Sequence, residues 1–125
     1  SANWRMIRSF DPLLRQSDAG RALYFSSTAA RGPRAYWSVY AVSKAALEMT
    51  VGIYAEETKN TPIRVNLFDP GKTRTVMRAE AVPGEDPDTL KTPEFVAEQI
   101  IELVAPSCTM HGEIIEALEP GETRD

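Results

Sequence analysis

The chain has one cysteine, Cys108, and one histidine, His111. A lone cysteine excludes an internal disulfide, a CxxC pair and any Cys/His zinc set, so no metal site is expected. It fits a reducing compartment. Without an evident histidine or asparagine partner, Cys108 reads as a bystander rather than a nucleophile, and His111 as a turn residue. No run of lysine or arginine is present and the net charge is −4, which argues against a nucleic-acid or anionic-membrane footprint. No apolar run approaches the roughly 20 residues that a membrane helix needs. Ser1-Ala2-Asn3-Trp4-Arg5 lacks the shape of a signal peptide. These absences lead us to expect a soluble, cytoplasmic protein with no membrane or nucleic-acid partner.

What is present is ordinary globular material. The 125 residues, 26% charged and 42% apolar, suffice for one domain with a modest core. Asn3 to Gln16 carries Trp4, Ile7, Phe10 and Leu14 at helical spacing, with Pro12 predicting a kink or a weakening near Asp11. Ser17 to Gly20 is a turn cluster, and Arg21 to Ser27 reads as a short buried strand ending in hydroxyls. A second helix spans about Trp37 to Lys59. It is apolar around most of its circumference, which predicts cover on two sides. Ile63 to Phe68 is a second strand, broken by Asp69-Pro70-Gly71. Lys72 to Asp88 is a polar loop with a short helix expected near Val76 to Ala81. Thr92-Pro93-Glu94 starts a third helix that Pro106 ends. Glu113 to Leu118 is a third strand, and 119–125 a charged tail expected to fray. Strands separated by long helices imply right-handed crossovers and a parallel sheet, with ligands at the carboxyl ends of the strands.

Three polar features fall at that rim: Ser26-Ser27-Thr28, Pro70-Gly71 to Thr75, and Tyr40-Ala41-Val42-Ser43-Lys44 one short loop beyond the first strand. Tyr40 and Lys44, four apart, share a helix face. A neighbouring ammonium favours the ionised form of a phenol, so such a tyrosine could exchange a proton with a carbonyl or alcohol nearer neutral pH. A tyrosine and lysine on a solvated face would look the same if they stood alone.

Taken together, Tyr40-x-x-x-Lys44, Ser27 upstream of it, Asn66-x-x-x-Pro70-Gly71-x-x-x-Thr75 and the closing Gly112-Glu113-Ile114-Ile115 strand resemble the C-terminal half of a short-chain dehydrogenase/reductase. The resemblance implies an α/β fold: the C-terminal portion of a doubly wound, Rossmann-like sheet, about three parallel strands with intervening helices, forming a single partial domain over 1–125. It implies Tyr40 as catalytic acid/base and Lys44 as the cation that lowers its pKa and binds the nicotinamide ribose. It implies Ser27 as the hydroxyl holding the substrate oxygen. Pro70, Gly71, Thr73 and Thr75 would line the cofactor, NAD or NADP, and residues 72–92 would shape the pocket for a small carbonyl or alcohol. Ser26 is expected to satisfy backbone groups in its turn, and Thr75 competes as a helix cap. The two long helices, Trp4 to Leu14 and Trp37 to Tyr54, would form a homodimer contact.

The departures bear on activity. No G-x-x-x-G-x-G turn for the pyrophosphate is present. The family's catalytic asparagine would fall just before Ser1, and Asn3 is not that residue. The expectation is therefore a fragment of an NAD(P)-dependent short-chain oxidoreductase, inactive alone, whose first strand becomes an open edge. The alternative is a truncated homologue serving as a dimerisation or interaction module.

Overall fold

In a computed structural model, residues 2–27, 35–36, 38–71, 83–84, 86 and 90–124 are described. The elements are α1 (Ala2–Gln16), β1 (Arg21–Phe25), α2 (Ser38–Thr58), β2 (Arg64–Asp69), α3 (Pro93–Leu103) and β3 (Ile114–Glu116). The sheet is parallel with order β1-β2-β3. This is the expected α/β architecture. Residues 72–82, including the short helix anticipated near Val76, lie outside the described residues.

Side chains alternate across a strand, so β2 serves two layers. Val65 and Leu67 join Leu47, Val51, Tyr54 and Ala55 of α2, with Ile7 and Leu14 of α1 and Ala22 and Tyr24 of β1 packed around them. Phe68 turns the other way, to Val96 and Leu103 of α3, Ile115 of β3 and Leu23 of β1. Ala22 pairs with Val65, and Leu23 with Asn66, so the two strands send matching parities to matching layers. The result is helices on both faces of a central strand. Ile63, Val65 and Phe68 have no exposed surface.

β1 is half-buried rather than buried, and Phe25 is exposed. The physical reason is its place at the sheet edge, with β2 as its one neighbour among the described residues. Its amino end is nevertheless firmly held. The Arg21 guanidinium donates to the carbonyls of Gly20, Pro62, Ala105 and Pro106 at 2.8–3.2 Å, joining the start of β1 to the end of the α3 segment. Gly20 is required here, since a Cβ would lie 2.8 Å from the carbonyl oxygen of Leu14.

α1 continues through Pro12 to Gln16. Beyond the proline, Arg15 Nε bonds both carboxylate oxygens of Asp11 at 3.1 and 2.9 Å. Tyr54 Oη of α2 donates to Asp11 Oδ1 at 2.7 Å. Those bonds stabilise the last turn where the ring removed a backbone donor. Of the cover expected on two sides of α2, the described residues supply one side. Leu47, Val51, Tyr54, Ala55 and Thr58 face the sheet, while Val39, Val42, Met49 and Ile53 form a second, exposed stripe. Met6, Phe10 and Leu13 of α1 form a similar exposed stripe. No described helix is long and apolar enough to cross a membrane.

Near the C-terminus the cap reads as anticipated. Thr92 accepts from the Phe95 N–H at 3.2 Å, with Pro93 in the first turn. Gln99 of α3 acts as a short surrogate strand: its Nε2 donates to Leu118 O and its Oε1 accepts from Leu118 N–H at 2.7 Å. In the 119–124 segment, Glu119 accepts from Lys91 and Arg124 donates to Glu116 O and Gln99 Oε1.

Candidate active site

β1 and β2 end side by side, and α2 begins nearby, so Ser27, Lys44 and Pro70-Gly71 lie toward the same end of the sheet. Lys44 Nζ donates to the carbonyl oxygen of Phe25, the last residue of β1, at 3.2 Å. The same ammonium lies 5.9 Å from the centroid of the Tyr40 ring, within the range of a cation–π contact. Tyr40 is 45% exposed. Ser43 Oγ donates back to Tyr40 O at 2.8 Å, a local bond that helps close this first stretch of α2. Ser27 is partly buried, two residues after Phe25. Ser27 and Tyr40 both have further polar or ring interactions, so neither stands isolated.

Ser26 departs from its expected role. It is buried, its N–H extends the ladder to Phe68 O at 2.9 Å, and its hydroxyl donates to Glu48 Oε2 of α2 at 2.5 Å. Its side chain meets a carboxylate rather than turn backbone.

At the end of β2, Asp69 Oδ1 accepts from the Gly71 N–H at 2.9 Å. Gly71 has φ +65°, a conformation that side-chain-bearing residues adopt at a cost. A Cβ on it would meet Lys91 Nζ at 3.1 Å. Lys91 is buried and its ammonium pairs with Glu119 Oε1 at 2.9 Å. This turn thus offers a bare backbone surface backed by a buried cation. Pro70 is partly buried within it. Thr73 and Thr75 lie outside the described residues, as does most of the 72–92 segment.

Two residues flagged by sequence have structural duties. Asn66 is buried on β2, where Nδ2 donates to Met110 O and Oδ1 accepts from Glu113 N–H, fastening β2 to the approach to β3. His111 accepts the Val65 N–H on Nδ1 at 3.1 Å, so Nε2 carries the hydrogen and donates to Ala55 O at 2.8 Å. The imidazole fills the ladder position just ahead of Gly112, whose N–H bonds Val65 O. Glu48 and Lys91 were not selected from sequence. Glu48 lies at the i+4 position from Lys44, the one local signal that could have drawn attention to it.

The residues present fit part of a dinucleotide site: a tyrosine–lysine pair, a strand-end hydroxyl and a glycine turn at positive φ. No Gly-rich phosphate turn is found in the sequence. Among the described residues no cluster of three histidine, cysteine or carboxylate groups could hold a metal ion.

The short chain dehydrogenase family pattern matches residues 2–86. The chain is 45% identical over 93 residues to an uncharacterized oxidoreductase of Escherichia coli K12, YciK, covering 74% of this chain and 36% of that protein. It superposes on a short chain dehydrogenase from Salmonella enterica serovar Typhi with TM-score 0.86 and 39% identity, covering 94% of this chain and 49% of the other. A short chain dehydrogenase from Escherichia coli CFT073, crystallised with NADPH, gives 0.85 and 39%, over 94% and 49%. The chain therefore spans about half the length of these solved structures and about a third of that curated relative. With two thirds of its residues inside the family pattern and its fold superposing on solved members at a TM-score of 0.86, the chain belongs to the short chain dehydrogenase family.

Proposed function

We propose that these residues form the C-terminal half of an NAD(P)-dependent oxidoreductase domain that interconverts a carbonyl and an alcohol. The observation that carries this reading is the placement of Lys44 against both the end of β1 and the Tyr40 ring. It sets a phenol, an ammonium and the Ser27 hydroxyl at one strand terminus. In reduction, a bound dihydronicotinamide supplies the hydride to the carbonyl carbon. Ser27 and Tyr40 donate to the carbonyl oxygen, stabilising the charge that develops there. Tyr40 then gives its proton to that oxygen, and Lys44 stabilises the phenolate left behind. Oxidation of the alcohol reverses each transfer.

Tyr40, Lys44, Pro70 and Gly71, with Thr73 and Thr75, would hold the nicotinamide end of the cofactor. The NADPH found in a similar protein supports NADP(H) as the first cofactor to try. The adenosine and pyrophosphate would need residues beyond those of this chain, so the 125-residue chain alone should bind dinucleotide weakly and turn over nothing measurable. The exposed stripes of α1 and α2 support a homodimer through these helices.

The test uses the longest reading frame containing this chain. Carbonyl-dependent NADPH oxidation over a panel of aldehydes and ketones is expected, and Tyr40→Phe should reduce kcat by about 10²–10⁴-fold. A Tyr40→Phe protein with wild-type kcat would remove the proposal. Sedimentation should give a concentration-dependent dimer. A monomer at every concentration would remove the dimer.

A further inference from the structure

α2 grips the end of β1 at two successive residues. Lys44 Nζ holds Phe25 O at 3.2 Å, and one turn later Glu48 Oε2 accepts from Ser26 Oγ at 2.5 Å. A hydroxyl donating to a carboxylate makes a charge-assisted bond, stronger than a neutral one. Ser26 is 5% exposed, and its N–H is bonded to Phe68 O at 2.9 Å. Its main chain is thus fixed by β2 and its side chain by α2. Ser27 is the next residue, with its Cα about 3.8 Å along the chain. Tyr40 stands two turns before Glu48 on the same helix. A bond between Glu48 and Ser26 therefore ties the chain just before Ser27 to the helix that carries Tyr40.

We infer that Glu48 is a positioning residue, acting through Ser26 to hold Ser27 in register with Tyr40. The inference rests on the roles given above to Ser27 and Tyr40. Two hydroxyls converging on one substrate oxygen tolerate little displacement, since an error of about 1 Å costs up to about 100-fold in rate.

The test compares Glu48→Ala, Glu48→Gln, Ser26→Ala and the double alanine variant in the intact protein. Glu48→Ala should lower kcat by about 10-fold or more while leaving the dissociation constant for NADPH unchanged. Glu48→Gln retains an acceptor and should recover kcat to within about threefold. The double variant should be no slower than the worse single one, because both remove the same bond. In parallel, hydrogen exchange at the Ser26 amide should quicken, and the backbone chemical shifts of Ser27 should move, in Glu48→Ala and much less in Glu48→Gln. An unchanged kcat in Glu48→Ala, additive losses, or a kcat loss matched by an equal loss of NADPH affinity would overturn the inference. If the wild-type protein reduces no carbonyl, the oxidoreductase reading fails. The exchange and shift data then decide the clamp alone, and Ser26 and Ser27 signals indifferent to Glu48→Ala would end it.

Discussion

Lys44 donates to Phe25 O across 3.2 Å and so joins the start of α2 to the last residue of β1. Replacing it with methionine keeps most of the stem and deletes the charge. Phe25 is 46% exposed at the sheet edge, so its carbonyl can turn to water and the stability loss should stay near 1 kcal/mol. If Tyr40 is the acid/base proposed above, loss of kcat should be far larger, about 10²-fold or more, because the phenolate would lose its neighbouring cation. Thermal unfolding set beside steady-state kinetics of the intact protein checks the split.

His111 offers the reverse pattern. His111→Phe leaves the Val65 N–H and the Ala55 carbonyl without their imidazole partner. Val65 has no exposed surface, so water reaches that donor poorly. A loss of about 2–3 kcal/mol is expected in urea denaturation, with kcat nearly unchanged in the protein that remains folded.

The Asp11–Tyr54 bond makes stability pH-dependent at both extremes. Burial alone would raise the Asp11 carboxyl, but hydrogen bonds from Tyr54 and Arg15 outweigh it and hold the group below its ordinary 3.8. Its contribution is therefore present above pH 3.8 and lost as pH falls through the depressed folded value. Burial, and then the bond to Asp11, raise Tyr54 above its ordinary 10.0. That contribution is complete below pH 10 and is lost as pH rises through the elevated folded value. Tyr54→Phe should cost about 1.5–3 kcal/mol near neutrality. It should also flatten both the acid and alkaline limbs of a plot of urea midpoint against pH.

Gly71→Ala places a Cβ on a residue at φ +65° and 3.1 Å from Lys91 Nζ. The strained backbone should cost about 1–2 kcal/mol. If the turn lines the nicotinamide as proposed, NADPH affinity in the intact protein should fall as well. Calorimetric titration of both proteins measures it. Unchanged affinity would separate this turn from the cofactor.

The layered fold was legible because it is written in short-range pattern. Alternating parity in Val65 to Phe68, the Thr92-Pro93 start and the Pro70-Gly71 stop each follow from neighbouring residues. Tyr40, Lys44 and Ser27 were singled out by their spacing and family likeness, and the fold sets Lys44 beside the Tyr40 ring and the end of β1. What escaped is long-range pairing. Ser26 meets Glu48 from 22 residues away, Lys91 meets Glu119 from 28, and His111 completes a ladder begun 46 residues earlier. None of these pairs has a local period to reveal it, because tertiary packing alone decides which polar group stands opposite. The support for α1 at Pro12 is long-range for the same reason: Tyr54, on another helix, holds Asp11 in the turn that the ring weakens.

The shared use of β2 by two layers makes the chain far less tolerant of length changes than of substitutions there. Deleting one residue between Ile63 and Val65 would slide the strand by one step and exchange the parity of every side chain after it. Asn66 and Phe68 would then face α2, and Val65 and Leu67 would face α3. The same slip would draw the Pro70-Gly71 turn back by about 3.3 Å along the strand axis, out of its present register with the end of β1. Family members that vary freely in their loops should therefore keep a constant residue count from Ile63 to Gly71.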